Sequence, residues 1–166
     1  MSIRPIIETA LAATAERLSP GSGSSAARHA KGDLGTIDAA SGNYSKRYAN
    51  EPIRLATTAV FEAKHPDGDP VTIGKPHAGL IVVFADSFLF VRGMGFGARE
   101  IDAVAISDVT VEAVTTVVDG AEVPGVRITG RGGKPKFAAA ITVPDAPAHP
   151  ATPTAVRDEL VALLSA

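Results

Sequence analysis

A set of basic residues in the last third of the chain is the feature of the sequence with the clearest chemistry. Two β runs, one that begins at Val126 and one from Lys136 to Val143, lie on either side of a glycine-rich turn, as in a β-hairpin. If Val126, Ile128 and Phe137 point inward, four basic side chains gather on the outside or at the tip: Arg127, Arg131, Lys134 and Lys136. Such a cluster could bind a small anion, a lipid headgroup or nucleic acid. The alternative, which we favour, is a solvated hairpin tip that discourages edge-to-edge aggregation.

Two glycine-rich segments resemble phosphate-binding loops without meeting their requirements. Residues 93–97 follow a strand, but a dinucleotide loop needs a helix next, and here the continuation alternates like strands. This segment is therefore predicted to be a connection between strands. Its predicted exposed contacts for protein are Met94 and Phe96. Around Lys134 the P-loop pattern fails, because Pro135 replaces the required Ser or Thr and Ile128 replaces the first glycine.

Metal and redox sites are not predicted either. The four histidines lie far apart in turn-, glycine- or proline-rich stretches, and no two of them form a His-x-x-x-His pair. His65, Asp67 and Asp69 lack the further oxygen ligands and the closing glutamate of a calcium loop. The chain has no cysteine, which excludes disulfides and thiolate sites. We therefore expect no catalytic residue, no metal and no cofactor.

Composition and charge favour a soluble, cytoplasmic protein. The net charge of -2 provides no field that would draw the whole chain onto nucleic acid or an anionic membrane, so nucleic acid is not the expected partner. The longest apolar run is broken by Asp86 and is far shorter than the roughly 20 residues of a membrane span. Glu8 and Glu16 interrupt the apolar region that a secretory signal would need.

Residues 1–20 are predicted to form an amphipathic helix. Apolar residues recur at spacings of three and four up to Leu18, and Pro20-Gly21 ends the pattern. Because so short a helix is marginal in water, its apolar stripe must pack on something. Packing on the chain itself is weighted about equally with two alternatives, a second copy or another protein. The candidate contacts for protein are Ile3, Ile6, Ile7 and Leu11. Residues 21–50, rich in Gly, Ser and Ala, are predicted to be a linker that is ordered in part at best.

Residues 51–166 carry the pattern of one small β-domain. Short runs rich in Val, Ile, Thr and Phe alternate with turn sequences, which predicts about seven antiparallel strands. Leu80–Phe84 and Phe88–Val91 flank a tight turn. Asp119-Gly120 separates two further β runs, and this dipeptide is among the strongest hairpin signals.

A helix is predicted at the end of the chain, after a proline-rich stretch that cannot continue the sheet. Thr152 is expected to cap this helix, with Pro153 at its first position. The apolar stripe that includes Val156 and Leu160 would cover the open end of the sheet. The sequence therefore predicts a mainly β architecture closed by a C-terminal helix.

Several segments of the β-domain resemble bacterial pleckstrin-homology (PH)-like domains. Residues 79–93 are similar to a hairpin whose second strand is rich in aromatic residues, and residues 101–111 to the third strand and the step after it. Residues 126–137 resemble the late hairpin, and residues 155–164 the closing helix. The resemblance implies an antiparallel barrel or sandwich that serves as a binding or assembly scaffold rather than as an enzyme.

Three functional hypotheses follow. The leading one is a non-catalytic PH-like adaptor that binds protein, with self-association included, through its N-terminal segment and loops. The second is binding of an anion, a lipid headgroup or nucleic acid by the basic hairpin 127–136, although Asp67, Asp69 and Asp86 near the early turns depart from lipid-binding PH domains. The third is a small-molecule-binding barrel, which predicts a deep pocket with polar lining. The alanine-rich, cysteine-free composition resembles proteins of actinobacteria or their phages.

Overall fold

Strands make up most of the described part of the chain. The computed structural model describes residues 4–18, 47–48, 50–62, 68–95, 98–131, 136–143 and 151–165. In chain order, the elements are α1 (Arg4–Leu18), β1 (Leu55–Glu62), β2 (Val71–Ile73), β3 (His77–Val83), β4 (Ser87–Gly95), β5 (Ala98–Ala105), a 3₁₀ turn (Ile106–Asp108), β6 (Val109–Val118), β7 (Ala121–Gly130), β8 (Lys136–Thr142) and α2 (Thr152–Leu164). The predicted fold class, mainly β with one helix before the strands and one after them, is confirmed.

The eight strands form one sheet in the order β2-β6-β7-β8-β1-β3-β4-β5. Seven of them pair antiparallel, as predicted, whereas β2 pairs in parallel with β6. β2 was not predicted, because its three residues are too few to show an alternating pattern. Since β2 and β5 lie at opposite ends of the order, the sheet does not close into a barrel.

Aromatic contacts show that the sheet folds over on itself. Phe90 of β4 stacks on Phe137 of β8 with ring centroids 4.8 Å apart, although two other strands separate β4 from β8 in the sheet. Phe61 of β1 lies against both rings, at 6.1 and 6.0 Å. The two halves of the sheet therefore face each other as a sandwich. The space around these three rings is filled by apolar side chains, which speaks against a polar ligand pocket at that place.

The predicted hairpins are confirmed, and each is explained by its turn. β3 and β4 pair across the short turn that contains Ala85 and Asp86. β6 and β7 pair along their whole lengths across Asp119 and Gly120, with φ values of 50° and 78°. Both central residues thus have the positive φ that matches the right-handed twist of the flanking strands.

Two local predictions were wrong. β4 continues to Gly95, and Gly93 pairs with Arg99 and Gly95 with Ala98 across a register shift, so a connection does not begin at Gly93. A shift of this kind lets glycines remain within a strand pair. At α2, the cap position is occupied by Ala151, without a side-chain hydrogen bond, and the predicted cap Thr152 is the first helical residue.

α1 packs on the β-domain. Ile7, Leu11 and Ala15, each one turn after the last, are buried in the main core, and α1 lies against β1 and touches α2. Burying an Ile or a Leu contributes about 1.5–3 kcal/mol. Arg17 adds an ion pair with Glu159 of α2 at 2.6 Å, but such exposed pairs contribute about 0–1 kcal/mol. The contact surface of α1 on β1 and α2 is therefore specific but narrow.

α2 packs against β6, β7 and β8 through Val156, Leu160 and Leu164, as its apolar spacing predicted. Arg157 of α2 donates to the carbonyl of Val114 at 3.2 Å. Of the helices in the described ranges, neither combines the length and the hydropathy needed to span a bilayer.

Candidate functional site

Of the four basic residues predicted for the hairpin, the structure describes the side chains of two, Arg127 and Arg131. Arg127 lies on the outer face of β7, as the alternation predicted, but its side chain is only 14% exposed. It donates to Glu112 at 2.7 Å and to the carbonyl of Gly68, which folds over this face. Arg131 is exposed at the end of β7. Lys134 lies outside the described residues, and for Lys136 the structure describes the backbone alone. Arg127 is thus a structural cation, which corrects its assignment as an anion contact.

Asp69, from the acidic turn before β2, also has a structural role. Its carboxylate accepts a hydrogen bond from the backbone N–H of Thr115 in β6 at 3.0 Å. Together with the contact between Gly68 and Arg127, this bond fastens the turn to the outer face of the sheet. Among the described residues, no group of three or more His, Cys, Asp or Glu lies close enough to hold a metal ion.

Two of the four predicted protein contacts on α1 are turned into the molecule. Ile7 and Leu11 are at most 1% exposed and belong to the core, so they do not offer a surface to a partner, and their assignment is corrected. The physical reason is that the apolar stripe of α1 can pack against any apolar surface, and β1 of the same chain offers such a surface. Ile6 is half-buried, and Ile3 lies outside the described residues. Of the other pair, Met94 is described by its backbone alone, and Phe96 lies outside the described ranges.

A crevice lined by threonines lies where α1 meets the sheet. Thr57 and Thr58 of β1, Thr142 of β8 and Thr14 of α1 line it together with apolar side chains, and the free space is about that of a single water molecule. Thr58 donates to the Thr142 carbonyl, and the two hydroxyls lie 3.3 Å apart. Thr14 is 8% exposed, and no hydrogen bond joins its hydroxyl to any other described residue. Among the described residues, the interface of α1 is thus partly polar and includes one hydroxyl without a hydrogen bond.

The incomplete pairing leads to a prediction for Thr14. A buried hydroxyl without a partner costs about 1–3 kcal/mol, and valine has nearly the same shape. Thr14→Val is therefore expected to raise the free energy of unfolding by about 1 kcal/mol in urea titration. The matched control, Thr142→Val, removes a paired hydroxyl and should lower it. A loss of stability in Thr14→Val as large as that in the control would contradict the prediction.

The end of the sheet formed by β5 is the most promising interaction surface. Within the described ranges, β5 pairs with β4 alone, so its other side is an edge from Ala103 to Ala105. β5 has eight residues, whereas β2 at the opposite end has three. A long edge strand is a template for pairing with another chain unless charges or prolines blunt it. β5 carries charges up to Asp102, but Ala103, Val104 and Ala105 have none.

The direction of the backbone groups of β5 follows from one hydrogen bond. The N–H of Ile106 donates to the carbonyl of Asp86 at 2.9 Å. In an antiparallel ladder, a bond between Ile106 and Asp86 means that the neighbouring partners Ala105 and Ser87 do not bond to each other. Bonded and non-bonded pairs alternate, and the register is uninterrupted here, so Val104 and Phe88 exchange hydrogen bonds.

The same alternation shows which backbone groups of β5 do not bond to β4. Ala103 and Ala105 direct their backbone N–H and C=O groups away from β4, towards the edge. Ala103 is exposed and Ala105 is half-buried. This surface could not be predicted from the sequence, because residue types do not show which residues of a strand direct their backbone groups to one side and which to the other. The structure thus provides a short, uncharged edge with its donors and acceptors in place.

Comparisons with known proteins do not assign the chain to a family. No protein-family model matches the sequence, and no curated protein matches it. Among solved structures, the chain is similar to the C-terminal domain of an unknown protein from Leishmania infantum, with a TM-score of 0.49 and 8% sequence identity. That alignment covers 77% of this chain and 97% of the other chain.

Proposed function

We propose that this chain is a non-catalytic, PH-like binding module that recognises an extended segment of a partner protein as an additional strand beside β5. The observation that carries the proposal is the orientation of Ala103 and Ala105, whose backbone groups point away from β4. In strand addition, main-chain hydrogen bonds to such an edge provide affinity, and neighbouring side chains provide specificity.

The side chains beside the edge fit an apolar, extended peptide. Val104 is half-buried and alternates with the two alanines, so a peptide strand would meet small or apolar side chains at this end of β5. The expected partner segment is therefore extended, free of proline at its paired positions, and apolar.

Ala103→Pro is expected to abolish peptide binding. Proline removes the one N–H that points outward at this position, while the bonds of Val104 to β4 remain. Peptides selected from a phage-displayed random peptide library against the full-length protein should bind Ala103→Pro at least about tenfold more weakly, as expected when main-chain bonds provide the affinity. The control Ala103→Thr keeps the N–H and should bind within about twofold of the unmodified protein.

Hydrogen exchange provides the second readout. The amides of Ala103 and Ala105 should become protected when a selected peptide binds, and circular dichroism should show that Ala103→Pro remains folded. Peptides that bind the proline variant with full affinity, or that leave both amides unprotected, would place recognition elsewhere. A library that yields no binding peptide would count equally against strand addition.

A further inference from the structure

We infer that the partner strand pairs with β6 as well as with β5, so that it fills an open corner of the sandwich and places one aliphatic side chain inside. The open corner lies between β5 and the first part of β6, residues 109–113. The strand concerned is that of the proposed function, on which this second pairing depends.

Residues 109–113 of β6 form an edge on the side away from β7. Within the described ranges, β2 pairs with β6 only near the end of β6, so the first part of β6 has no strand on this side. The N–H of Thr115 points to this side, since it donates to the carboxylate of Asp69 at 3.0 Å. Bonded and non-bonded pairs alternate along β6 and β7 without a register shift. Val111 and Ala113 therefore direct their backbone groups to the same side.

The edges of β5 and β6 frame one corner of the sandwich. The two strands are joined by the 3₁₀ turn, yet they belong to the two halves of the sheet that face each other. At the opposite corner, the sheet passes from one half to the other through the paired strands β8 and β1. Facing sheets lie about 10 Å apart, which is about twice the spacing of paired strands. The open corner therefore has room for one strand with a neighbour on each side.

Apolar side chains of the core reach the surface at the open corner. Val104 of β5 lies opposite Phe88, and Val111 of β6 lies opposite Ile128. Phe88 and Ile128 are fully buried, whereas the two valines pack on the core but are only half-buried. Further along β6, Ala113 is exposed. The walls of the corner are thus uncharged and apolar at these positions, and they match an apolar side chain.

The pairing geometry determines which partner residue supplies that side chain. In antiparallel pairing with β5, two partner residues bond to Ala103 and Ala105, and the residue between them lies opposite Val104. Residues that lie opposite each other share a face of the sheet, so this central side chain points into the sandwich and its two neighbours point outward. Val or Ile is expected at the central position, because β-branched residues favour strands.

Hydrogen exchange on the full-length protein, with and without a library-selected peptide, tests the pairing with β6. The amides of Val111 and Ala113 should become protected at least about tenfold, together with those of Ala103 and Ala105. Protection confined to Ala103 and Ala105 would leave strand addition to β5 intact and overturn the pairing with β6. Protection at neither strand would contradict both.

The central residue is tested with synthetic variants of a selected peptide that carry Asp at each position in turn. One interior position should lose at least about tenfold in affinity, because its charge is directed into apolar surroundings. Its two neighbours, which point outward, should lose no more than about threefold. Equal losses at all three positions would mean that no partner side chain enters the corner.

Ala113→Pro provides a readout on β6 itself, since proline removes the N–H that points into the corner. The selected peptides should bind this variant at least about fivefold more weakly, and the control Ala113→Thr, which keeps the N–H, within about twofold. Circular dichroism should show that Ala113→Pro remains folded, and the exchange measurement on the unmodified protein decides the matter if it does not. If Ala113→Pro binds with full affinity while Ala103→Pro does not, the strand lies beside β5 alone and the inference is overturned.

Discussion

Tyr48→Ala is expected to lower the free energy of unfolding by about 3–5 kcal/mol, the usual cost of removing a fully buried aromatic side chain. Tyr48 is 1% exposed and belongs to the main core, although it precedes the predicted β-domain. Its ring stacks on Phe84 with centroids 4.2 Å apart. Its hydroxyl lies 3.0 Å from that of Ser87, at the start of β4. The residue thus closes the end of the β3–β4 hairpin.

The measurement is a urea titration, in which the midpoint should fall at an unchanged slope. Tyr48→Phe is the matched control, since it keeps the stacked ring and removes only the hydrogen bond to Ser87, at an expected cost of about 1 kcal/mol. A double variant with Ser87→Ala should cost less than the sum of the two single changes, because the two hydroxyls serve each other. If Tyr48→Ala unfolds within about 1 kcal/mol of the unmodified chain, Tyr48 does not belong to the core.

Much of the sheet could be predicted because its signals are local. Asp119-Gly120 specifies a hairpin turn through the φ values that these two residues tolerate. The alternation in β7 correctly separated the buried Ile128 from the outward Arg127. These inferences needed only the period of the strands and the chemistry of a turn, and both are contained in a few neighbouring residues.

The parts that could not be predicted depend on contacts between distant segments. Gly68 contacts Arg127 only because the turn before β2 folds over β7. The residue pattern of neither segment predicts this contact. In the same way, the stripe of Ile7 and Leu11 fits any apolar surface, so the sequence left open whether it binds the chain itself or a partner. The proposed site at Ala103 depends on hydrogen-bond parity, which is set by the β3–β4 turn.

These differences change where a partner is expected. The sequence pointed to α1 and to the basic hairpin, yet the structure buries Ile7 and Leu11 and engages Arg127 with Glu112. At Ala103 and Ala105, in contrast, β5 directs backbone groups away from β4. A scaffold that presents main-chain groups can bind without a distinctive residue motif. Recognition by strand addition would therefore leave little trace in the sequence.

Gly125→Ala is expected to lower the free energy of unfolding by about 3 kcal/mol, although replacing a glycine within a strand usually stabilises. A β-carbon at Gly125 would lie 2.5 Å from the Cγ2 of Thr116 and 2.7 Å from the carbonyl oxygen of Ala139. Thr116 cannot move aside easily, because it is fully buried and its hydroxyl donates to the Val123 carbonyl at 2.7 Å. The backbone of β8 must therefore shift.

Two further variants test whether the clash of the added methyl group causes the loss of stability. At Gly74 a β-carbon would meet nothing within 4 Å, so Gly74→Ala should be neutral or stabilise by about 0.5 kcal/mol through loss of entropy in the unfolded chain. Adding Thr116→Ser to Gly125→Ala removes the Cγ2 contact and should recover part of the loss, while the contact with the Ala139 carbonyl persists. Urea titration of all three variants decides the matter. A tightly packed sheet has no room for one added methyl group. If Gly125→Ala and Gly74→Ala were equally stable, β6, β7 and β8 would therefore be packed less tightly at this point than the structure indicates.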